Sequence, residues 1–497
     1  MRLMFVTSEA YPLAKTGGLA DVSRSLPAAL QRQGAEVQVV IPAYPRAIVQ
    51  LRDAKVAARL PACLGIDDGL LISGTFPDCD LPVWLVSSAT LFGRSGGLYQ
   101  DDTGRDWSDN ALRFAYFSNV AADIALGRTT IGWRPDVVHA NDWHTGLLPL
   151  LLAQHDGARP RTVFTTHNMA FQGNFDRQDV PDLGLAGDAD LEFYGRVSYL
   201  KAGLRYADRI TTVSPTYARE ILTAEYGFGL EGVLAARGED FSGILNGIDE
   251  TIWNPATDRF LSANYSGRDP SGKRLCKRDL QREMGLPDND DVPLIGFVSR
   301  LTEQKMADTL ITALPWIIAS GAQLAVVGEG DRKIEAALAD AAEKNPALFA
   351  AMIGYDEALA HKLQAGSDIL LSPARFEPCG LTQLYALRYG TLPVVRRTGG
   401  LADTVVDTNN SSIFERSATG FVFNDSTAES MISAMSRALA LYRDPLHWRV
   451  VQLQAMSRKF GWDRSAGTYM DLYRNVTGMA PGEGKEGDEK SARRAAG

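Results

Sequence analysis

The sequence contains little of what would place it in several common classes of protein. Only four of its 497 residues are cysteines, and they show neither metal-ligand spacing nor the density of a disulfide framework, so we expect free thiols in a reducing, cytoplasmic compartment. No apolar run approaches the roughly 20 residues of a membrane span. The strand-like residues 3–6 open the chain directly and leave no room for a signal peptide. We therefore expect no membrane partner.

Positive charge is also in the minority. Lysine and arginine number 51 against 60 acidic residues, which gives a formal net charge of -9. The basic residues are scattered apart from a short cluster at Lys490, Arg493 and Arg494. Binding to nucleic acid requires a basic surface, so we expect no nucleic-acid partner. No pattern in the sequence specifies an oligomeric state.

Short β-branched runs that alternate with helical patterns make up most of the chain. This rhythm predicts α/β domains with parallel sheets and right-handed crossovers, which bind ligands beyond the carboxyl ends of their strands. The length exceeds what one hydrophobic core supports and favours two Rossmann-like domains facing a deep cleft. The predicted strands are 3–6, 37–41, 83–86, 136–139, 163–166, 210–213, 294–298, 324–327, 352–354, 369–371, 392–395 and 421–423.

The strand pattern stops after residue 249 and restarts near 291, which sets the predicted domain boundaries. We expect an N-terminal domain at 1–250, a linker region at 251–290 and a C-terminal domain at 291–460. A helix at 461–480 is expected to cross back to the first domain. The segment 481–497, rich in Gly, Glu, Lys and Ala, is predicted to be disordered.

The hexapeptide Thr-Gly-Gly-Leu-Ala-Asp occurs twice, at 16–21 and at 398–403, each time between a strand-like run and a helical pattern. Paired glycines at such a junction let the backbone approach an anion, and the helix start supplies free N–H groups. Neither copy has the Gly-x-Gly-x-x-Gly or the Walker spacing. A different phosphate-binding turn is one interpretation, and a tight turn with a solvated Lys15 is the other.

Polar side chains follow two strands of the first half. The string His-Ala-Asn-Asp-Trp-His at 139–144 brings Asp142 and two imidazoles to the end of one strand, and His167 and Asn168 follow the next. The two histidines of the string have no third ligand nearby and match no zinc pattern, so we expect no metal site. A ligand contact and a satisfied structural histidine both remain open for His167.

Two cations and a carboxylate follow strands of the second half. Arg300 and Lys305 lie five residues apart at a predicted helix entrance, where they would suit a diphosphate leaving group. Glu377 precedes a Pro-Cys-Gly turn that opens another helix, which would combine an acceptor for sugar hydroxyls with amide donors for phosphate oxygens. A solvated helix start and a capping turn are the structural alternatives.

Taken together, these motifs resemble those of bacterial glycogen synthases, which are in turn similar to plant starch synthases. The resemblance covers nearly the whole chain. It lies in Lys-Thr-Gly-Gly-Leu at 15–19, His-Ala-x-Asp-Trp-His at 139–144, His-Asn-x-Ala-Phe-Gln-Gly at 167–173, Asn-Gly-Ile-Asp at 246–249, Ser-Arg-Leu-Thr at 299–302 and Glu-Pro-Cys-Gly-Leu-Thr-Gln at 377–383.

The resemblance implies the two-Rossmann GT-B architecture, no cofactor and no metal ion. It also implies a retaining transfer of glucose from ADP-glucose to the non-reducing 4-OH of an α-1,4-glucan, which elongates glycogen. Lys15, with the amides of Gly17 and Gly18, would contact the distal phosphate. Arg300 and Lys305 would neutralise the charge that grows on ADP.

Further roles follow from the same resemblance. His167 would contact the glucose 6-OH, Glu377 the 3-OH and 4-OH, and Asn246 the glucose, while Asp142 would lie near the acceptor. Tyr355 would form a wall for the adenine. The other residues expected to bind substrate are Asp21, Asn168, Cys379, Gly380, Leu381 and Thr382.

Three positions depart from the family pattern. Met306 replaces the glycine of Gln-Lys-Gly, Asn141 replaces a histidine, and Tyr385 stands where many related sugar-nucleotide transferases carry a second glutamate. The last is usual in glycogen synthases. Two alternatives therefore stay open: a transferase with another sugar nucleotide or acceptor, and an impaired, glucan-binding paralogue. If Met306 blocks the phosphate clamp, Met306→Gly should raise activity sharply.

Overall fold

The computed structural model describes residues 1–183 and 190–479, so the predicted disordered segment 481–497 lies outside the described residues. The chain divides into two compact units. The first comprises Met1–Val213, Ala218–Gly247 and the chain from Trp462 onward, and the second comprises Ser214–Tyr217 and Ile248–Gly461. The domain boundaries set from the sequence stay predictions. No helix among the described residues is long and apolar enough to cross a membrane.

In the described part of the chain, the first unit contains a nine-stranded sheet of order β12-β11-β7-β6-β1-β2-β5-β4-β3 and a small sheet of order β8-β10-β9. The strands are β1 Arg2–Val6, β2 Glu36–Pro42, β3 Arg52–Arg59, β4 Leu70–Thr75, β5 Pro82–Ser87, β6 Val137–Asn141, β7 Arg161–Thr166, β8 Asn174–Phe175, β9 Glu192–Phe193, β10 Arg196–Ser198, β11 Arg209–Thr212 and β12 Phe241–Gly243.

The large sheet is parallel except at one end. There β4 pairs antiparallel with both β3 and β5. The expectation of an all-parallel sheet is therefore wrong for β3 and β4. The turn between β4 and β5 is short and closes with a hydrogen bond from Phe76 N to Leu81 O at 3.1 Å, and a connection this short can join only antiparallel strands. Most of the β3 side chains are exposed, as an antiparallel edge permits.

Helices cover the central strands of the first unit. Residues 3–6 of β1 are fully buried, as the apolar run predicts for a strand covered on both faces. The helices are α1 Gly18–Arg32, α2 Pro45–Gln50, α3 Asn110–Ala125, α4 Leu147–Ala153, α5 Tyr199–Tyr206, α6 Pro215–Glu220, α7 Glu231–Ala235 and α17 Trp462–Thr477. Of these, α6 begins in residues that cluster with the second unit.

The second unit contains, among the described residues, a six-stranded sheet of order β15-β14-β13-β16-β17-β18, and its strand pairs are parallel. The strands are β13 Leu294–Val298, β14 Gln323–Gly328, β15 Phe349–Ile353, β16 Ile369–Ser372, β17 Leu392–Arg396 and β18 Phe421–Phe423. The helices are α8 Ser271–Glu283, α9 Ala307–Ala319, α10 Arg332–Lys344, α11 Glu357–Gly366, α12 Thr382–Tyr389, α13 Gly399–Thr404, α14 Asn410–Phe414, α15 Ala428–Tyr442 and α16 Pro445–Ser457.

The stretch 251–290 clusters with the second unit and carries α8. Lys273 of α8 is buried, and its Nζ donates to Ala365 O and Ser367 O, both at 2.9 Å, and to Thr391 Oγ1 at 2.7 Å. Burial lowers the pKa of Lys273 to about 8. A buried cation needs such partners, so this lysine ties α8 to the end of α11 and to the loops that precede β16 and β17.

Candidate active site

In the first unit, candidate site residues follow three neighbouring parallel strands. In the sheet, β1 lies beside β6 and β6 lies beside β7, so their carboxyl ends meet at one edge. Asp142 follows β6 and His167 follows β7. The structure therefore brings together two side chains separated by 25 residues of sequence.

Asp142 and His167 are joined by a hydrogen bond. His167 N donates to Asp142 Oδ1 at 2.7 Å. The backbone of Asp142 has φ 56° and ψ 177°, a region that side-chain-bearing residues rarely adopt and that is typical of strained functional sites. The hydrogen bond from Asp142 N to Thr165 O at 2.9 Å helps to hold this conformation.

Asn141, the residue that replaces the family histidine, orients His167. Its Nδ2 donates to Val6 O at 3.1 Å, and its Oδ1 lies 3.0 Å from His167 Nε2. Because the amide oxygen only accepts, Nε2 of His167 carries the proton and Nδ1 is the acceptor of the neutral ring. Asn141 thus contacts the site through a hydrogen bond to His167, although it replaces the family histidine.

Burial shifts the protonation of both groups. Burial, opposed by the hydrogen bond from His167 N and supported by the nearby Glu9, raises the pKa of Asp142 to about 7. Burial lowers the pKa of His167 to about 3, so this imidazole is neutral near pH 7. A carboxyl that titrates near neutrality beside a neutral imidazole is typical of an active site.

Sequence reasoning missed Glu9. Its carboxylate is buried and accepts hydrogen bonds from Thr16 N at 2.6 Å, Gly17 N at 3.3 Å and Tyr99 Oη at 3.1 Å. Burial raises the pKa of Glu9, and these hydrogen bonds oppose the rise. A glutamate just after an apolar strand and just before the first hexapeptide was a signal that could have pointed to it. Glu9 holds the glycine turn in place.

The first hexapeptide starts α1. Gly17 caps the helix in an extended conformation, and a Cβ at this position would meet nothing within 4 Å. Gly18 is the first helical residue. Lys15 Nζ lies 3.0 Å from Asp21 Oδ1 and 5.1 Å from the centre of the Tyr11 ring. The open space in front of Gly17 is compatible with a ligand at this helix start.

Two asparagines of the first unit behave differently. Asn168 Oδ1 accepts a hydrogen bond from Ala170 N at 3.0 Å and so shapes its own loop. Asn246 is buried, and its Oδ1 meets no hydrogen-bond donor within the described ranges 1–183 and 190–479. A buried acceptor without a donor costs stability, which is consistent with a position kept for a ligand.

The histidines of the 139–144 string do not point into the site. His139 lies inside β6, where its Nδ1 is 2.7 Å from Tyr473 Oη and its Nε2 is 2.6 Å from Thr165 Oγ1. His144 stacks on Trp143 and Tyr99 at centroid distances of 3.9 and 4.4 Å. The expectation of an imidazole at the strand end is therefore wrong for His139, whereas His144 does follow the strand but is buried. No group of three potential metal ligands occurs among the residues that the structure describes.

In the second unit, Lys305 and Glu377 form an ion pair. Lys305 lies on the 3-10 turn after β13, and Glu377 lies on the loop after β16. These two strands are neighbours in the sheet. Arg300 also follows β13, and its Nη2 lies 3.5 Å from Gln304 Oε1. Lys305 and Glu377 are largely buried side by side, while Arg300 is exposed.

The Pro-Cys-Gly turn leads from Glu377 into α12. Gly380 has φ 73°, and a Cβ there would lie 2.4 Å from Gln383 Oε1. Leu381 caps the helix, which begins at Thr382, and Thr382 Oγ1 lies 3.2 Å from Ser372 Oγ. Cys379 is buried. The helix start presents backbone N–H groups and the positive end of its dipole beside Glu377.

The second hexapeptide packs against the same turn. A Cβ at Gly399 would lie 1.8 Å from Glu377 O, and one at Gly400 would lie 2.1 Å from Cys379 O. Gly400 N donates to Glu377 O at 3.1 Å. Only glycines allow this approach. This copy therefore supports the Glu377 loop through its backbone.

Three further positions of the second unit bear on the sequence interpretation. Met306 has φ 53° and is fully buried in the hydrophobic core, so its side chain points away from solvent. Tyr355 is 61% exposed, and its hydroxyl donates to Glu357. Tyr385 stacks on Trp253 with ring centroids 3.7 Å apart. Its ring therefore contributes to packing.

The predicted site residues thus form two sets, one in each unit. The first unit holds Lys15, Gly17, Gly18, Asp21, Asp142, His167, Asn168 and Asn246. The second unit holds Arg300, Lys305, Tyr355, Glu377, Cys379, Gly380, Leu381 and Thr382.

Two family models match this chain. "Starch synthase catalytic domain" matches residues 2–236 and "Glycosyl transferases group 1" matches residues 281–449. A glycogen synthase of Burkholderia thailandensis is 51% identical over 95% of this chain and 90% of its own length. One from Paramagnetospirillum magneticum is 49% identical over 98% of this chain and 100% of its own length.

Solved structures agree. The catalytic domain of starch synthase IV from Arabidopsis thaliana, bound to ADP and acarbose, superposes with a TM-score of 0.85 at 32% identity and covers 96% of this chain and 99% of that one. The sucrose-phosphate synthase of Thermosynechococcus elongatus, at 18% identity and a TM-score of 0.61, covers 96% of this chain and 100% of that one and shares the fold. The two α/β units and these matches define a GT-B glycosyltransferase. The chain belongs to the glycogen synthase family, which confirms the resemblance seen in the motifs.

Proposed function

We propose that this chain transfers glucose from ADP-glucose to the non-reducing 4-OH of an α-1,4-glucan, with retention, and so elongates glycogen in the cytoplasm. The observation that supports this most is the contact between Lys305 and Glu377 beside the start of α12. The ammonium and the helix amides suit a diphosphate, and the carboxylate accepts hydrogen bonds from sugar hydroxyls. The arrangement therefore suits a sugar nucleotide.

Each set of residues has a part in donor binding. In the first unit, Lys15 and the amides of Gly17 and Gly18 meet the distal phosphate, and Asp21, which already pairs with Lys15, orients it. In the second unit, Arg300 and Lys305 neutralise the charge that develops on ADP as the glycosidic bond breaks. Fixed charges that favour the transition state raise the rate.

Other second-unit residues hold the nucleotide. The exposed ring of Tyr355 forms a wall for the adenine. The amides of Cys379, Gly380 and Leu381 and the Thr382 hydroxyl bind the sugar and the phosphates at the start of α12.

We assign the glucose and acceptor contacts as the family resemblance implies them. Glu377 accepts hydrogen bonds from the glucose 3-OH and 4-OH, and His167 contacts the 6-OH through its unprotonated Nδ1. Asn246 Oδ1 accepts a hydrogen bond from a glucose hydroxyl. Asp142 lies near the acceptor. We propose same-face attack through an oxocarbenium-like state, with the leaving phosphate helping to deprotonate the acceptor hydroxyl. Detection of a glucosyl adduct on a protein side chain would exclude this path.

Transfer of radiolabelled glucose tests the proposal. Wild type should incorporate label into glycogen from ADP-glucose far faster than from UDP-glucose, and no polymer should be labelled without glycogen. Glu377→Gln serves as the inactive control because it keeps the size of the side chain and removes the charge. A preference for UDP-glucose would contradict the proposed donor, and label transfer only to small sugars would contradict the proposed acceptor.

The two alternatives named above are separated by the same assay. A transferase for another donor or acceptor would show label transfer with the other pair. An impaired paralogue would transfer no label with any of these pairs, although it would still bind glycogen. The buried position of Met306 gives no support to impairment by a blocked clamp, because its side chain lies in the core.

A further inference from the structure

Three loops of the first unit expose aromatic rings. One of them is the loop that carries His167, and the other two are linked to it by contacts. Phe171 is 51% exposed, Tyr194 is 81% exposed and Phe228 is 38% exposed. Single exposed apolar residues are ordinary on a protein surface, but a cluster of large rings marks a binding surface. These rings have no role in the site described above.

The three loops are linked to one another. Gln172 Nε2 donates to Phe228 O at 3.0 Å. A Cβ at Gly229 would lie 3.0 Å from the Tyr194 ring and 3.1 Å from the Phe193 ring. We refer to Phe171, Phe193, Tyr194 and Phe228 as the aromatic platform.

Two of the rings are carried by unusual backbone. Tyr194 has φ 50° and Phe228 has φ 52°. Aromatic residues rarely adopt the left-handed region, because the Cβ crowds the backbone. Neither ring is buried in the core, so core packing does not account for the two conformations. Strain of this kind is typical of residues held for binding.

The platform continues the candidate active site. Phe171 N donates to Asn168 O at 3.2 Å, within the turn that follows His167. Gln172 O accepts from Leu200 N at 3.1 Å, which fixes this turn on α5 beside the hairpin of β9 and β10. A polymer whose end lies at His167 can therefore extend along this surface.

We propose that the aromatic platform binds the glucan chain of the acceptor, a few sugar residues away from the reacting end. Pyranose rings have an apolar C–H face that stacks on aromatic rings and a polar edge that needs hydrogen bonds. The polar edge finds partners beside the rings, where Arg196 and Asp176 form an ion pair at 3.0 Å. The inference rests on the proposed function in taking the acceptor to be a glucan.

Variants that keep the backbone and remove a ring test this. Tyr194→Asn and Phe228→Asn suit the left-handed conformation, since asparagine tolerates it. Tyr194→Phe keeps the ring, and Phe414→Ala removes a ring that is 88% exposed in the second unit, so it is the matched control. Glycogen binding is measured by retardation in native gels that contain glycogen without donor. The Michaelis constant is measured for glycogen and for maltotriose at saturating ADP-glucose.

Each asparagine variant should bind glycogen about three- to tenfold more weakly, the loss expected for one stacked ring. Its KM for glycogen should rise by the same factor, with the KM for maltotriose and for ADP-glucose unchanged. Tyr194→Phe and Phe414→Ala should behave as wild type. Undiminished retardation of Tyr194→Asn, an equal rise with maltotriose, or absence of retardation in wild type would overturn the inference.

Two other outcomes have a definite meaning. If the asparagine variants change the elution volume in size-exclusion chromatography, the platform is a protein interface and the inference is wrong. If wild type shows no transfer from ADP-glucose but the variants lose retardation, the proposed function fails and the platform stands, because the gel measurement needs no turnover.

Discussion

Met306→Gly tests whether the Met306 side chain blocks the proposed phosphate clamp or packs in the hydrophobic core. The Met306 side chain is fully buried in the core of the second unit, and its backbone is left-handed at φ 53°. Removing a buried methionine side chain costs about 2–5 kcal/mol. Glycine relieves the left-handed strain by about 1–2 kcal/mol. The net destabilisation is therefore about 0–4 kcal/mol, and a value of about 2 kcal/mol in the middle of this range should lower the melting temperature by about 4–8 °C.

The assay is thermal unfolding followed by circular dichroism, together with transfer of labelled glucose at 25 °C. Met306→Leu is the matched control, because it keeps the apolar volume and the backbone strain and should cost less than about 1.5 kcal/mol. Activity of Met306→Gly per folded molecule should not exceed that of wild type. A melting temperature above that of wild type, or a several-fold gain in activity, would refute the assignment of this side chain to the core.

Three further predictions follow from the site. Gly399→Ala should abolish transfer and lower stability, since its Cβ would lie 1.8 Å from Glu377 O. Gly17→Ala places its Cβ in open space, so it should leave the melting temperature within about 2 °C of wild type and raise the KM for ADP-glucose. Asp142 has a pKa of about 7 in the fold against 3.8 for the free group. The folded state therefore binds the proton more tightly, and stability is lost as pH rises from about 4 to 7. Relative to Asp142→Asn, wild type should lose up to roughly 4 kcal/mol of unfolding free energy across this pH range in urea titrations. A difference in unfolding free energy between the two proteins that stays constant with pH would contradict the burial of the charge. Lys305→Ala should lower kcat by about 10²–10³-fold, while Lys344→Ala, which breaks a surface pair with Asp340, should leave kcat unchanged; equal effects of the two would contradict the role of Lys305.

The positions of the strands were predictable because they depend on local patterns. Each of the twelve predicted strands overlaps a strand of the structure, since a buried parallel strand requires a short, continuous apolar run. The antiparallel pair β3 and β4 was missed. Most of the β3 side chains are exposed, so its sequence lacks that run.

The candidate site was predictable only in part. Loops that follow parallel strands carry ligand-binding residues, and this rule led to Asp142 and Glu377. It did not reveal Glu9, and it treated His139 as a residue of the strand end although it is a core residue. Whether a polar side chain points to the core or to a ligand depends on neighbours distant in sequence, such as Tyr473, which lies 2.7 Å from His139 Nδ1.

The repeated hexapeptide shows most clearly which properties depend on local sequence and which depend on tertiary structure. Its sequence alone determined that each copy would form a glycine turn at the start of a helix, because glycine freedom and helix capping are local properties. The surroundings decided what each turn does. Gly17 faces open space, whereas a Cβ at Gly399 would collide with Glu377 O. Identical residues therefore form an exposed helix start in one unit and a backbone support in the other, because the contacts that distinguish them come from chain segments far away in sequence.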